Sequence, residues 1–265
     1  MRVALVQCDV AWQDRATNLV RAEGHLREAV ARGARLVVFP EMFACGFTMD
    51  TACAEPEGGP TEAWACAMAA THDVHVVVGV PQRAVGDDRP RNVALLAAPD
   101  GTVARYAKTH LFSFSDEHRH YAAGDTLVTW DVAGLRVAPR ICYDLRFPEA
   151  FRPDASAVDA FLVIASWPER RAAHWRTLLR ARAIENQAWV LGVNRVGEGD
   201  GLRYRGDTAA IDPWGEVHAE VAHEEAVLVV DVDPAGVAAA RAAFPPLRDA
   251  RSDLRFDRVS GSRAP

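Results

Sequence analysis

The chain has 265 residues, of which 49% are hydrophobic and 25% charged, a composition typical of one globular domain with a sizeable core. Its formal net charge of −6, with no basic stripe or recognition motif, argues against nucleic-acid binding. No apolar run approaches the ~20 residues of a membrane-spanning helix. The first predicted strand begins too close to Met1 for a secretory signal, so we expect a cytoplasmic protein that does not bind membranes.

The first part of the chain predicts alternating strands and helices. Residues 3–7 form an apolar first strand, and an apolar stripe over residues 16–32 predicts a helix. Residues 36–39 are a short apolar run that delivers a carboxylate, Glu41, just after its end. The β-branched run 74–80 predicts a buried strand. Taken alone, Glu41 is explained equally well as a cap or a solvated charge.

A hairpin is predicted next, with its turn at Pro99-Asp100-Gly101. Lys108 follows the second strand of this hairpin. By itself, Lys108 is explained equally well as a surface lysine.

The third chemical group is Cys142, which follows a predicted buried strand at residues 135–141. Pro148 favours the first turn of a following helix, because that position does not need an N–H. Cys142 is therefore predicted to lie between a strand and a helix. Ligands gather there in open α/β sheets, and free N–H groups can hold an oxyanion. The alternative is a buried structural cysteine.

The last part of the chain predicts further strands at residues 158–164, 189–193 and 226–232. A helix between the first two presents one face, which consists of Trp175, Leu178, Leu179, Arg182, Ala183 and Asn186. Pro234 is expected to begin a final helix. The glycine-rich residues 197–201 predict an exposed turn. Periodicity by itself supports an α/β fold and no more.

The cysteines and histidines argue against a disulfide framework and a metal site. The cysteines are Cys8, Cys45, Cys53, Cys66 and Cys142. Their number is odd and none forms a CxxC pair, which suits reduced thiols in the cytoplasm. His118 and His120 alternate, but no further ligand pattern accompanies them. We therefore predict no metal and no cofactor.

Glu41, Lys108 and Cys142 occur in that order, each beside a β-type segment. This arrangement resembles the nitrilase superfamily of carbon–nitrogen hydrolases. The supporting motifs lie at residues 3–7, 115–118, 181–186, 206–208 and 212–216. The resemblance covers almost the whole chain and implies a single domain over residues 1–265 with a four-layer α-β-β-α sandwich. One departure is Pro139-Arg140 just before the nucleophile, where relatives often carry glycine or smaller polar residues.

The resemblance also implies roles for the residues of the site. Cys142 would be the nucleophile, Glu41 the general base, and Glu117 a carboxylate that positions Lys108. Lys108 and the backbone N–H of Tyr143 would bind the oxyanion. Amide hydrolysis would then proceed through a thioester on the cysteine, with release of ammonia.

Within the superfamily, Trp167-Pro168 followed by His174-Trp175 is similar to the ω-amidase branch, which hydrolyses side-chain amides of keto acids such as 2-oxoglutaramate. A small anionic amide needs a local cation, since the protein is acidic overall. The candidate substrate-binding residues are Arg146, Trp167, Arg170, Arg171 and His174. For the substrate carboxylate, the candidates are Arg146, Arg170 and Arg171, in that order. Each arginine alone is explained equally well by a surface ion pair.

Other functions use the same residues. A nitrile hydrolase or an N-carbamoyl amidase would share the triad, and a catalytically silent or thiol-sensing binding protein would share the fold. The superfamily commonly pairs protomers through helices outside one sheet. We therefore predict a homodimer or a larger even assembly, with contributions from Trp175 and its helix and from the tail at residues 245–265.

Overall fold

The structure is a computed structural model, and it describes residues 1–251. The strands are β1 (Arg2–Gln7), β2 (Leu36–Val38), β3 (Glu55–Pro56), β4 (His75–Arg83), β5 (Arg91–Ala97), β6 (Val103–Ala107), β7 (Trp130–Val132), β8 (Leu135–Ile141), β9 (Ala160–Ala165), β10 (Trp189–Asn194), β11 (Val196–Gly199), β12 (Leu202–Ile211), β13 (Val217–Ala222) and β14 (Ala226–Asp231). The helices are α1 (Arg15–Ala31), α2 (Pro60–His72), α3 (Glu117–His120), α4 (Ala172–Asn186) and α5 (Pro234–Ala243).

The strands form two mixed sheets. The first has the order β14-β1-β2-β4-β5-β6, with β3 beside β4. The second has the order β11-β12-β10-β9-β8-β7, with β13 beside β12. The strands β1, β2 and β4 run parallel in the first sheet, as do β8, β9 and β10 in the second. Both faces of these central strands are covered, which explains why their sequences are mainly apolar and not alternating.

The two sheets pack face to face with helices outside them. On β1, Val3 and Leu5 face the core between the sheets, while Ala4 and Val6 face the core beneath α1 and α2. A third core lies between the second sheet and α4 and includes Trp175. The predicted four-layer α-β-β-α sandwich is therefore confirmed.

Three local predictions need correction. Pro148 begins a 3₁₀ turn, Pro148–Ala150, and not an α-helix. The Ala150 carbonyl, which a helix would use for its next turn, accepts a hydrogen bond from the Arg140 side chain instead. Trp175 has no exposed surface and donates from Nε1 to Asp207 O at 2.7 Å, so this residue cannot contact a partner. Residues 197–201 were predicted to form an exposed turn, but most of them belong to β11, which pairs with β12.

The two ends of the described chain meet in the first sheet. Strand β14 pairs with β1 along its whole length, from Arg2 opposite Asp231 to Gln7 opposite Ala226. The Met1 amine donates to the Val232 carbonyl at 2.6 Å. Much of the predicted tail, residues 252–265, lies outside the described residues. No helix within residues 1–251 is both long and apolar enough to cross a lipid bilayer.

Candidate active site

The predicted catalytic residues meet at the junction of the two sheets. Glu41 follows β2 and Lys108 follows β6 in the first sheet, while Cys142 follows β8 in the second. Ser166 follows β9, and its N–H donates to Glu41 Oε2 at 2.8 Å. The site is therefore assembled from loops of both sheets, which bring together residues that are far apart in sequence.

Glu41 is held by a close backbone approach and by three hydrogen-bond donors. A Cβ on Gly79 of β4 would lie 2.6 Å from the Glu41 Cα, so only glycine lets the chain pass there. Glu41 Oε1 accepts from Asn92 Nδ2 at 2.7 Å and from Lys108 Nζ at 2.9 Å. Its Oε2 accepts from the Ser166 N–H. The carboxylate is thus fixed before any substrate arrives.

Lys108 lies between two carboxylates, and none of the three side chains has any exposed surface. Its Nζ is 2.9 Å from Glu41 Oε1 and 3.0 and 2.9 Å from the two oxygens of Glu117. Burial disfavours the ammonium, but Glu117 and Glu41 outweigh burial and raise the pKa of Lys108 above its ordinary value. The ammonium has three N–H bonds. Glu41 accepts one of them, and the two oxygens of Glu117 share a second, so the third is left for a substrate oxygen.

Cys142 begins a 3₁₀ turn, Cys142–Arg146, with a φ of 45°. A non-glycine residue in this region is strained, and such strain often marks functional positions. Burial raises the pKa of the thiol well above its ordinary value, and the Glu41 carboxylate, which hydrogen-bonds the thiol, raises it further. Lys108 acts in the opposite direction. The thiol is therefore neutral at neutral pH and needs a base to become a nucleophile.

A cavity of about 340 Å³ opens onto Cys142. Its lining residues are Phe47, Met49, Phe112, Phe114, Ser115, Asp116, Cys142, Tyr143, Arg146, Ser166, Trp167, Pro168, Arg170, Arg171, Asp200, Leu202 and Tyr204. Glu41, Lys108 and Glu117 lie behind the cysteine, out of contact with solvent. The arrangement is a chamber with aromatic and polar walls, a thiol in one wall, and a buried base next to that thiol.

The sequence matches the carbon-nitrogen hydrolase family model over residues 2–242. The chain belongs to this family. It is 38% identical to the Escherichia coli ω-amidase YafV over 252 residues, which covers 94% of this chain and 96% of that protein. It is 32% identical to the Bacillus subtilis 2-oxoglutaramate amidase over 256 residues, which covers 95% and 98%.

Solved structures of superfamily members have the same fold as this chain. XC1258 from Xanthomonas campestris, a CN-hydrolase superfamily protein with an arsenic adduct in its active site, shares 39% identity and a TM-score of 0.90 over 97% of this chain and 99% of that chain. An amidase from Nesterenkonia, seen as a mutant with acrylamide added to its active-site cysteine, shares 26% identity and a TM-score of 0.81 over 92% and 98%. The predicted superfamily and enzyme class are confirmed.

Three arginines surround the cavity of this carbon–nitrogen hydrolase. The guanidinium of Arg171 lies 5.2 Å from the Phe112 ring centre, and that of Arg146 lies 4.7 Å from the Trp167 ring centre. Arg170 lies 6.0 Å from the ring centre of Phe114. Within residues 1–251 none of the three forms an ion pair with a carboxylate. Their charges are therefore available to an anionic ligand.

His174 occupies a different place from the one predicted. It is exposed and does not line the cavity. Its Nδ1 lies 3.2 Å from Nη2 of Arg146. From this position His174 orients the arginine and does not touch a ligand in the cavity.

Sequence reasoning missed Asp144, a buried carboxylate two residues after the nucleophile. It accepts from the Ile141 N–H at 2.9 Å and from the Tyr106 hydroxyl at 2.8 Å. It also accepts from the Thr109 hydroxyl at 3.0 Å and from the His110 N–H at 2.9 Å. Burial opposes the charge, yet hydrogen bonds from the His110 ring, the Ile141 N–H and the Tyr106 hydroxyl lower the pKa of Asp144. The hydrolase uses it to tie the nucleophile turn to the segment that carries the lysine.

Asn92 was missed as well. Its Nδ2 donates to Glu41 at 2.7 Å and to Glu117 at 3.0 Å, so one amide orients both carboxylates. No local pattern points to this residue, because its partners lie in distant parts of the chain. An asparagine inside a predicted strand is the one available signal, since this residue type is depleted in strands.

The unusual Pro139-Arg140 pair has a structural role in the hydrolase. Strand β7 pairs with β8 only as far as Val137, so Pro139 has just one neighbouring strand, as proline requires. Arg140 is fully buried, donates to the Ala150 carbonyl at 2.5 Å, and also pairs with Asp154. The arginine thus fixes the loop after the nucleophile turn.

Among residues 1–251, no three His, Cys, Asp or Glu side chains converge as metal ligands.

Proposed function

We propose that this hydrolase is an ω-amidase that converts the ω-amide of a small keto dicarboxylate monoamide, such as 2-oxoglutaramate, to the acid and ammonia. One observation carries the proposal: a single cavity joins the Cys142 thiol to three arginines that no carboxylate of residues 1–251 neutralises. The named relatives from Escherichia coli and Bacillus subtilis support the same activity.

The first half of the proposed reaction forms a thioester. Glu41 removes the proton from the Cys142 thiol, and the sulfur attacks the amide carbon to form a C–S bond. The carbonyl oxygen becomes an oxyanion, which accepts hydrogen bonds from Lys108 Nζ and the Tyr143 N–H. The C–N bond then breaks, and protonated Glu41 donates its proton to the nitrogen, which leaves as ammonia.

The second half hydrolyses the thioester. Glu41 removes a proton from water, and the resulting hydroxide attacks the acyl carbon through a second oxyanion. The C–S bond breaks, the carboxylic acid leaves, and Glu41 returns its proton to the cysteine.

Arg171 is our first choice for the substrate carboxylate. It follows Trp167-Pro168, its backbone carbonyl accepts from Trp167 Nε1 at 2.8 Å, and it is less exposed than Arg170. Arg146 is already engaged by the Trp167 ring and by His174. This order differs from the one suggested by sequence, in which Arg146 came first.

Replacing Arg171 with methionine tests the substrate assignment. We expect the variant to lose roughly 10- to 150-fold in kcat/KM on 2-oxoglutaramate, since a charge-assisted hydrogen bond contributes ~1.5–3 kcal/mol. Hydrolysis of an uncharged aliphatic amide should be nearly unchanged. Ammonia release measures both reactions. Arg203→Met, at an exposed arginine outside the cavity, is the matched control. Equal wild-type efficiency on keto-acid ω-amides and simple amides or nitriles would instead favour a general amidase or a nitrilase.

We further propose a cytoplasmic homodimer or larger even assembly. All five cysteines are free, which suits a reducing compartment. An apolar patch of Ile184, Trp214 and Val217, which are 50%, 52% and 36% exposed, lies beside the outer face of α4. A cluster of exposed apolar side chains is typical of an interface.

Replacing Ile184 with aspartate is expected to shift the assembly towards monomers, because it places a charge inside the proposed interface. Analytical ultracentrifugation at micromolar concentration measures the change. Val20→Asp introduces the same charge at a valine on α1 that is 74% exposed and should not change the assembly. A stable, active wild-type monomer would refute the dimer.

A further inference from the structure

The Tyr204 hydroxyl lines the cavity but has no part in the mechanism above. Tyr204 lies on β12, is 5% exposed, and shares the cavity wall with Cys142 and Ser166. Within residues 1–251 no group hydrogen-bonds its phenolic oxygen. By contrast, the buried hydroxyls of Tyr106 and Tyr121 donate to Asp144 and to the Thr48 carbonyl, respectively. The Tyr204 hydroxyl therefore faces the cavity, where its hydrogen-bonding capacity is open to a ligand.

The ring of Tyr204 is held in place from behind. The guanidinium of Arg195 lies 4.5 Å from the ring centre. Arg195 is fully buried and donates to Asp9 Oδ1 at 3.1 Å and to the Glu198 carbonyl at 2.9 Å. Across the β11–β12 pair, Tyr204 lies opposite Gly197. The phenolic oxygen is therefore positioned by contacts that do not depend on a ligand.

The hydroxyl lies within electrostatic reach of the reacting groups. Burial raises the pKa of Tyr204 to about 12, Arg195 opposes this shift, and the negative charge of Glu41 adds to it. The phenol is consequently neutral at the pH of catalysis. A neutral phenol can both donate and accept a hydrogen bond.

The hydrogen-bond donors and acceptors of the substrate amide determine which of its atoms the Tyr204 hydroxyl can contact. The carbonyl oxygen of an amide requires donors, and Lys108 and the Tyr143 N–H supply them. The two N–H bonds of a carboxamide require acceptors. Glu41, whose Oε2 accepts from the Ser166 N–H, would accept from one of them as the base next to the thiol. The second N–H lacks a partner among the groups described so far.

We infer that the phenolic oxygen of Tyr204 accepts a hydrogen bond from the carboxamide N–H of the substrate, which selects amides over esters of the same acid. The inference rests on the proposed amidase function and adds a specificity-determining residue to it. An ester has no N–H at the corresponding atom, so the contact cannot form with an ester.

The test compares Tyr204→Phe with wild type on a matched amide and methyl ester, both made from whichever acid the wild-type enzyme accepts best. The kcat/KM value is used because it reports on the steps up to the acyl-enzyme. We expect about a 10-fold loss on the amide, the scale of one hydrogen bond, and less than about a 3-fold loss on the ester.

Tyr121→Phe is the matched control. It removes a hydroxyl that donates to the Thr48 carbonyl and does not line the cavity, so it should lower the Tm without changing the amide-to-ester ratio. An unchanged ratio in Tyr204→Phe, whether both activities fall equally or neither falls, would overturn the inference. A wild-type enzyme that rejects keto-acid ω-amides but hydrolyses other amides would overturn the substrate assignment and leave this test intact.

Discussion

Replacing Cys142 with alanine is expected to reduce amide hydrolysis to background, a loss on the order of 10⁴-fold or more, as for removal of other covalent nucleophiles. Among residues 1–251, the side chain supplies the one thiol that lines the cavity; the other sulfur there is the thioether of Met49. The substitution removes little volume and keeps a β-carbon at the same strained φ. The Tm should therefore change little while turnover disappears.

Ammonia release and thermal unfolding measure the two effects. Cys66→Ala, at a partly buried cysteine on α2 outside the cavity, is the matched control and should retain full activity. Mass spectrometry of acid-quenched turnover samples should find the acyl group on Cys142. Near-wild-type turnover by Cys142→Ala would remove the cysteine from the mechanism.

Replacing Glu41 with glutamine should lower the turnover of the enzyme and raise the rate at which iodoacetamide modifies Cys142. Turnover should fall by at least ~100-fold, the scale of a lost general base. The pKa of the Cys142 thiol should fall too, because Glu41 raises it and Lys108, which lowers it, remains. More thiolate is then present at pH 7–8, so iodoacetamide should modify the inactive variant faster than wild type.

Alkylation rates over pH 6–10, followed by mass spectrometry of the Cys142 peptide, measure the thiol pKa. Glu62→Gln is the control, since this buried carboxylate pairs with Arg105 at 2.7 Å and does not line the cavity. It should lower stability without changing the alkylation profile. A higher thiol pKa in Glu41→Gln would contradict the assigned charges.

The sequence predicts the sheets well because their central strands are buried on both faces. Continuous apolar runs, such as Ala160–Ala165, therefore mark these strands. Glu41, Lys108 and Cys142 could be found because each follows a predicted strand. The role of each residue, however, came from the family resemblance and remains a prediction that the geometry supports.

The supporting residues could not be predicted, because their contacts are set by tertiary packing. Asp144 resembles any acidic residue in a first turn, and Tyr204 resembles any aromatic residue in a strand. Gly79 gives no sign in sequence that the chain of Glu41 passes over it. The short turn after Cys142 was mistaken for the start of a helix, since Pro148 suits both equally.

The pairing of β14 with β1 has a consequence during protein synthesis. Strand β1 is made first among the strands, and β14 is made last among those described. Until residues 226–231 leave the ribosome, the apolar strand β1 has an open edge of unpaired N–H and C=O groups on one side. Such edges recruit strands from other chains. Chains that stop before β14 are consequently expected to aggregate more readily than chains that contain it, because this edge of β1 stays unpaired.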